Sequence, residues 1–269
     1  MYPNWMEKST YPSDLSDKEW QALRPLFRPP GRGRKRKWST RTVLNAIFYV
    51  LKTGCQWRYL PVNFPPWQTV FYHFRQWQRW GKWFTAHEAL RKATRRKAGR
   101  HPDPSAAVLD SQSVKTTAEG AWFKGFDGNK KVKGRKRHVL VDTLGLLLSI
   151  YTTPANTGDR WGAKACLGGK KLFLPRLQKI WADANYTGDD LAQTCAREGW
   201  ELEIVKRPQG KFEVQPKRWI VERTLAWWLK YRRLEGDHER KPQTGESLIE
   251  IAMIRLMVRR LAAKKKAVG

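Results

Sequence analysis

The sequence predicts a mixed α/β domain with flanking helices, preceded by an all-helical domain. The first hundred of the 269 residues carry helix-capping signals and apolar residues at helical spacing. After a basic, proline-containing stretch near residues 100–105, short runs rich in Val, Leu and Ile alternate with helical patterns. Such an alternation is typical of a sheet packed against helices. We therefore expect two domains, residues 1–100 and residues 101–269, the second ending in a basic tail.

The first two helices are predicted from their end signals. In "LSDKEWQALRPLF", Ser16 and Glu19 have the spacing of a capping box, in which each side chain accepts from the other residue's backbone. The second helix, "STRTVLNAIFYVLKTG", begins at Ser39 or Thr40 and is expected to end at Gly54, where a glycine cap fits.

The third helix, "WQTVFYHFRQWQRWG", has a polar face that suits DNA. Val70, Phe71, Phe74 and Trp77 fall on its apolar face. The opposite face carries Gln68, Tyr72, Arg75, Gln76 and Arg79. Amides and guanidinium groups make bidentate contacts with base edges, so the helix, turn and helix predict a helix-turn-helix DNA reader. The alternative is an ordinary solvated helical face.

A basic run between the first two helices, "RPPGRGRKRKW", supplies further DNA-binding candidates. They are Arg34, Lys35, Arg36 and Lys37.

The second domain reads as strand, hairpin, helix, strand, helix, strand and helix. The strands are "AAVLDSQSV", the hairpin "RHVLVDTLGLLLSIYTT" with its turn at "DTLG", "KIWADANYT" and "WELEIVK". Helices are expected to start at Asp159 and at Thr187 or Asp189, and a long helix surrounds Glu222.

The charge indicates a polyanionic partner. Fifty-three Lys and Arg against 24 Asp and Glu give a formal net charge of +29, which repels itself unless a polyanion neutralises it. Nucleic acid is favoured, and an anionic membrane surface is the alternative, although no segment resembles an interfacial anchor. No apolar run could span a bilayer, and the N-terminus lacks a secretory signal. The three scattered cysteines fit reduced thiols, so we expect a cytoplasmic protein.

Three acids have the surroundings of a metal site. Asp110 and Asp183 each end an apolar strand, and Glu222 is the single acid in "KRWIVERTLAWWLKYRR". A buried carboxylate is costly unless it is paired or binds a cation, and carboxylate oxygens favour Mg²⁺. Two such ions catalyse phosphoryl transfer when several acids converge from separate elements.

Each acid also has a local interpretation, which stays open. Asp110 could be a turn residue, Asp183 could cap a turn, and Glu222 could pair with Arg218 or Arg223. Other acids have only local interpretations, namely Asp142 in the hairpin turn, Asp127 in "FDGNK" and Asp159 as a helix N-cap.

The loop "KGFDGNKKVKGRKRH" combines glycines with bases. Glycines let backbone amides approach phosphates closely, and the cations supply charge; the alternative is a solvated basic loop. The DNA-binding candidates here are Lys130, Lys131, Lys133, Arg135 and Lys136.

Five segments together resemble a known family. They are "VLDSQSVKTT", "GFDGNKKVKGRKRHVLVDTLGLLL", "ANTGDR", "WADANYTG" and "KRWIVERTLAWWLKYRRL". In this order they are similar to the DDE transposases of bacterial insertion sequences, in the insertion-sequence-five group. The resemblance runs from about residue 10 to residue 255.

The resemblance implies a ribonuclease-H-like catalytic domain in which Asp110, Asp183 and Glu222 bind two divalent metal ions, Mg²⁺ or Mn²⁺. Family members bind terminal inverted repeats, cut the DNA at the element ends and join the freed 3′ hydroxyl to target DNA, as a homodimer or larger assembly. Basic residues of the late helix would hold that DNA, namely Arg218, Arg223, Lys230, Arg232 and Arg233.

The chain departs from the Tyr, Arg, Glu, Lys signature of the wider group. Arg218 fits the Arg position, but the Tyr position is Gln215 and the Lys position is Leu229, one residue before Lys230. Two alternatives to a transposase remain at this point: a non-catalytic DNA-binding regulator and a generic nuclease of the same fold.

Overall fold

The structure is a computed structural model that describes residues 11–28, 37–117, 121–205 and 217–263. The chain forms two compact units. The first comprises Met1–Arg100, Tyr231–Arg233 and Ser247–Gly269, and the second comprises His101–Lys230 and Leu234–Glu246. The division after residue 100 lies near the change of composition in the sequence, and the segment after residue 246 groups with the first unit.

The first unit is helical, as predicted. Its helices are α1 (Asp17–Leu23), α2 (Thr40–Thr53), α3 (Trp67–Arg79) and α4 (Lys82–Lys97), with short 3₁₀ turns at Arg24–Phe27 and Trp57–Tyr59. The capping box is confirmed, because Ser16 N–H donates to Glu19 Oε2 at 2.8 Å and Glu19 N–H donates to Ser16 Oγ at 3.4 Å. Ser39 caps α2, which ends at Gly54 with φ of 75°.

A long C-terminal helix was not expected from the sequence. After the short helix α8 (Arg232–Glu235), α9 spans Pro242–Ala262 and buries Ile249, Ile254 and Val258. The basic segment that the sequence analysis assigned to a tail therefore begins inside a helix, and only residues 264–269 lie outside the described part. Its Arg255 contacts Glu19 at 2.7 Å within the first unit.

The second unit is built on a mixed sheet. Its strands are β1 (Ala106–Lys115), β2 (Gly125–Asp127), β3 (Val132–Asp142), β4 (Leu147–Pro154), β5 (Lys179–Asp183) and β6 (Glu201–Val205). Within the described ranges β1, β3 and β4 form an antiparallel series, and β1, β5 and β6 are parallel. The predicted hairpin is confirmed as β3 and β4.

Helices cover both faces of this sheet. The helices α5 (Asp159–Leu167) and α6 (Asp189–Arg197) pack on the core face, with Leu109, Leu140 and Ile180. The helix α7 (Arg218–Trp228) contacts β1, β3 and β5. This mixed α/β arrangement is the ribonuclease-H-like fold class that the resemblance implies.

The strand predicted at "AAVLDSQSV" is confirmed as β1, but Asp110 does not end it, because the polar half that follows Asp110 pairs with β3 from His138 back to Gly134. Asp110 therefore lies in the middle of a strand.

Among the helices in the described part of the chain, none combines the length and apolar character that a membrane crossing requires.

Candidate active site

Asp110 and Asp183 lie on neighbouring parallel strands. In the register of β1 and β5, Val108 pairs with Trp181, and the same register carried two residues further sets Asp110 opposite Asp183. Because side chains two apart share a face and adjacent strands lie about 4.8 Å apart, both carboxylates extend from one face of the sheet. A narrow cleft is lined by both acids together with Trp181 and Val221.

The environment of Asp110 disfavours its charged form. Burial is the largest effect, and the charge of Asp183 adds to it, so the pKa of Asp110 rises to about 6. The backbone N–H of Ser111 donates to Asp110 Oδ1 at 2.7 Å and opposes this rise. A carboxylate held in this way gains most from a cation placed beside it.

The helix α7 brings Glu222 to the same face. Thr224 Oγ1 donates to Gly145 O at 2.8 Å, and Arg223 Nη2 donates to Leu144 O at 3.1 Å, so the helix is fixed to the β3–β4 turn. The side chain of Glu222 is 58% exposed, against 17% for Asp183. The centre is therefore open to a large substrate on the side of Glu222.

Arg218 joins the second and third acids. Its Nη1 lies 3.8 Å from Asp183 Oδ2, and its Nε lies 3.2 Å from Glu222 Oε1. The two local interpretations are also correct, because Glu222 pairs with Arg218 and Asp183 caps a short turn by accepting from Asn185 N–H at 3.0 Å. These local roles leave Asp110 and Asp183 in one cleft and link Glu222 to Asp183 through Arg218.

The three carboxylates suit a hard divalent cation in their chemistry. They supply only oxygen donors, and Asp110 is a carboxylate whose burial is offset best by positive charge. In the described part of the chain no group of three acids, His or Cys forms a ready metal cage. A guanidinium lies between two of the candidate ligands, and this separates them.

The other acids have local roles. Asp142 Oδ1 accepts from the N–H groups of Leu144 and Leu146, both at 2.8 Å, and so shapes the hairpin turn as predicted. Asp127 Oδ1 accepts from Asn129 and Lys130 N–H in its own turn.

Asp159 differs from its prediction, because Gly158 is the N-cap of α5 and Asp159 is the first helical residue. Its carboxylate accepts from Ser111 Oγ at 2.8 Å and pairs with Lys136 at 3.1 Å. Ser111, which carries no signal in the sequence, links the two acids: its hydroxyl donates to Asp159 and its backbone N–H donates to Asp110.

The basic loop divides into exposed and buried cations. Lys130, Lys131 and Lys133 are exposed. Arg135 is fully buried, pairs with Asp237 at 3.0 Å and donates to backbone carbonyls. Lys136 is also buried, between Asp127 at 3.8 Å and Asp159 at 3.1 Å.

Arg135 and Lys136 are therefore not placed to contact DNA as the sequence predicted, because both are buried. They lie in β3, which has neighbouring strands on both edges and helices or loops on both faces. Their charges therefore form ion pairs within the protein. Gly134 of this segment has a steric role too, since a Cβ there would lie 2.0 Å from Val114 O.

The cations on and after α7 also divide into exposed and buried side chains. Arg223 stacks on Trp219 and Trp227, at 4.5 and 5.0 Å from the ring centroids. Lys230 and Arg232 are exposed, whereas Arg233 is buried and donates to Gly54 O and Cys55 O. Arg233 is accordingly a structural group rather than the predicted DNA contact.

The helix α3 presents the predicted polar face. Val70, Phe74 and Trp77 are buried, and Phe71 is only partly so. A shallow groove follows the other side of the helix and is lined by Trp67, Gln68, Phe71, Tyr72, Arg75, Gln76 and Arg79. Lys37 is exposed, while the predicted contacts Arg34, Lys35 and Arg36 lie outside the described residues.

A pair next to the acids had no sequence signal. Lys217 Nζ lies 3.6 Å from the centroid of the Trp181 ring, and Lys217 has a left-handed backbone with φ of 74°. This contact ties the start of α7 to β5 and so fixes the position from which Arg218 extends.

Two family models match the chain. One, described as "Transposase DDE domain", matches residues 101–257. The other, for candidate transposases of the IS4/5 family, matches residues 15–87. Together they cover both units.

Two proteins of Burkholderia cepacia are similar in sequence. A candidate "transposase for insertion sequence element IS402" is 30% identical over 183 residues, which is 61% of this chain and 82% of that protein. An "Insertion element IS402 uncharacterized 16.2 kDa protein" is 34% identical over 113 residues, which is 39% of this chain and 76% of that protein.

Proposed function

The chain belongs to the DDE transposases of insertion sequences, and from this premise we propose that it binds the terminal inverted repeats of its element, cleaves the DNA at the element ends and joins the 3′ hydroxyl to target DNA. The observation that supports the proposal is the shared cleft of Asp110 and Asp183, with Arg218 of α7 contacting both Asp183 and Glu222.

The three carboxylates would hold the metal ions. The family requires divalent metal in general. Two Mg²⁺ ions held here, or Mn²⁺ in their place, would activate an attacking oxygen and stabilise a leaving oxygen. Asp110 and Asp183 sit on rigid strands and fix one side of the centre. Glu222 lies on α7 at the open side of the centre, next to the exposed surface that DNA would approach.

The remaining residues divide between recognition and phosphate binding. The polar face of α3, with Gln68, Tyr72 and Gln76, would read base edges in a helix-turn-helix. Exposed cations would bind the backbone of transposon ends and target DNA, namely Lys37, Lys130, Lys131, Lys133, Lys230 and Arg232. We propose that the protein acts in the bacterial cytoplasm, as a homodimer or larger assembly on DNA.

Mapping the DNA ends tests this proposal. The full chain is incubated with Mg²⁺ and a duplex carrying the sequence that flanks its own gene, together with a second duplex as target. We expect new 3′ ends at the element border and their covalent joining to the target. Cutting without joining would favour a generic nuclease, and sequence-specific binding without cutting would favour a non-catalytic regulator.

A substitution on α3 tests sequence recognition separately. Gln76→Ala should weaken binding to the terminal repeat by about 1–3 kcal/mol and relax the preference at one base pair, because a bidentate base contact is lost. Binding is measured on repeat and random duplexes at fixed salt. Gln21→Ala, an exposed amide on α1, is the control and should leave both affinities unchanged. Equal affinity of the Gln76→Ala and wild-type proteins for the repeat would remove α3 from base recognition.

A further inference from the structure

One guanidinium occupies the space between two of the three acids. Arg218 contacts Asp183 at 3.8 Å and Glu222 at 3.2 Å, and its side chain is 27% exposed. It is therefore held within the acid cluster and not on an open surface. The contact of Arg218 Nε with Glu222 Oε1 is a close ion pair.

The position of Arg218 is unfavourable for the helix that carries it. Arg218 is the first residue of α7, the first turn holds no acidic residue, and Lys217 precedes it. Cations at a helix N-terminus are repelled by the helix dipole. The carboxylates of Asp183 and Glu222 offset this repulsion, and the Lys217–Trp181 contact holds the helix start in place.

The acids also need a positive charge between them. Asp110 and Asp183 line one cleft, and Arg218 contacts both Asp183 and Glu222, so the like charges of these acids act on the same region. A divalent ion would meet this need, and Arg218 already meets part of it. The guanidinium and a metal ion therefore compete for the same oxygens of Asp183 and Glu222.

We propose that Arg218 is a positioning residue that acts as an internal counterion, holding Asp183 and Glu222 in the metal-free protein and leaving them when metal binds. This rests on the proposed function and adds a regulatory step to it. Once displaced, the guanidinium faces the DNA side of α7 and is available to a phosphate. Metal binding and DNA binding are then coupled through Arg218, and each tightens the other.

Manganese titration tests the competition directly. Free Mn²⁺ is measured by electron paramagnetic resonance with the full chain and no DNA. Arg218→Gln should bind Mn²⁺ about tenfold more tightly than wild type, within the range of ordinary coupling. Arg218→Lys keeps one charge but cannot reach two carboxylates with a fork, so its affinity should lie between the two. Arg197→Gln is the matched control, because it removes the same charge from an exposed position in α6, and should bind as wild type does.

Coupling to DNA gives a second readout. In the wild type, Mn²⁺ should tighten binding to a random-sequence duplex. The ratio of the DNA affinities with and without Mn²⁺ should be smaller in Arg218→Gln. The proposal would be overturned if Arg218→Gln bound Mn²⁺ with wild-type affinity and Mn²⁺ strengthened its DNA binding as much as in the wild type. If Arg218→Gln does not fold, Arg218→Lys decides, and Mn²⁺ affinity equal to or weaker than wild type in that variant overturns it.

The failure of this inference can be told apart from failure of the proposed function. Asp110→Asn should lose Mn²⁺ binding. If wild type and Asp110→Asn bind Mn²⁺ equally, the metal centre itself is wrong. If Mn²⁺ binding depends on Asp110 but not on Arg218, the metal centre stands and only the counterion role is lost.

Discussion

Asp110 is a carboxylate whose ionisation costs the folded protein free energy. Its pKa rises from 3.8 to about 6, first because it is buried and then because Asp183 is near. The same burial that opposes the charge strengthens its interaction with a cation. Residues arranged in this way are typical of functional sites, where stability is given up for chemistry.

A prediction about stability follows for Asp110→Asn. Because the folded pKa is raised, the penalty is absent below pH 3.8, grows as pH rises towards about 6 and stays constant above it. In EDTA, Asp110→Asn should therefore melt a few degrees above wild type at pH 8, and at nearly the same temperature at pH 4. Thermal unfolding across this range measures it.

Asp189→Asn, an exposed carboxylate in the same unit, is the control and should follow wild type at every pH. A difference between Asp110→Asn and wild type that does not change with pH would contradict the electrostatic explanation.

Lys136 is a buried cation whose charge is balanced by two carboxylates. It pairs with Asp127 and Asp159 and donates to Thr157 O at 3.0 Å. Lys136→Met should destabilise the protein by about 3 kcal/mol, because two carboxylates lose their counterion. Urea unfolding of the full chain checks it. Lys133→Met, on the same strand but exposed, should change stability by less than about 0.5 kcal/mol. Equal losses in the two variants would contradict the assignment.

At the scale of elements, local signals were the most predictable part of the fold. The capping box of α1, the glycine at the end of α2 and the turn of the β3–β4 hairpin depend on residues close in sequence, and all three are confirmed. The place of Asp110 in the middle of β1 was not predictable, because the polar half that follows Asp110 is held by its pairing with β3. The helix α9 was not predicted because its apolar residues lie on all sides of the helix and do not form one stripe.

Close packing between strands gives a prediction for β3. A Cβ on Gly134 would lie 2.0 Å from Val114 O, a backbone atom that cannot move aside. Gly134→Ala should therefore cost about 1–3 kcal/mol through overpacking. Gly128→Ala is the control from the same loop, because nothing lies within 4 Å of its Cβ position. Denaturant midpoints of the two variants measure the difference, and comparable stability would mean that the strands can separate at little cost.

At the scale of the whole molecule, the charge of +29 predicted a polyanionic partner but not which cations face it. Arg135, Lys136 and Arg233 are buried, whereas Lys130, Lys133 and other bases are exposed. Sequence cannot separate these groups, because Lys and Arg are seldom fully buried unless they are paired, and the pairing partners are distant in the chain. The strand and helix context of the three acids was predictable together with the family motifs, whereas the contact of Arg218 with Asp183 became visible only in the structure.

The central claim is that Asp110, Asp183 and Glu222 form one catalytic centre. The most direct measurement is the rate of cleavage at the element end in Mg²⁺, for wild type and for Asp110→Asn, Asp183→Asn and Glu222→Gln, with binding to the same duplex measured in parallel. We expect each single variant to lose cleavage by at least about a thousandfold, the scale of removing a group that stabilises the transition state, while still binding the DNA. Cleavage at the wild-type rate by any one of the three variants would contradict the claim.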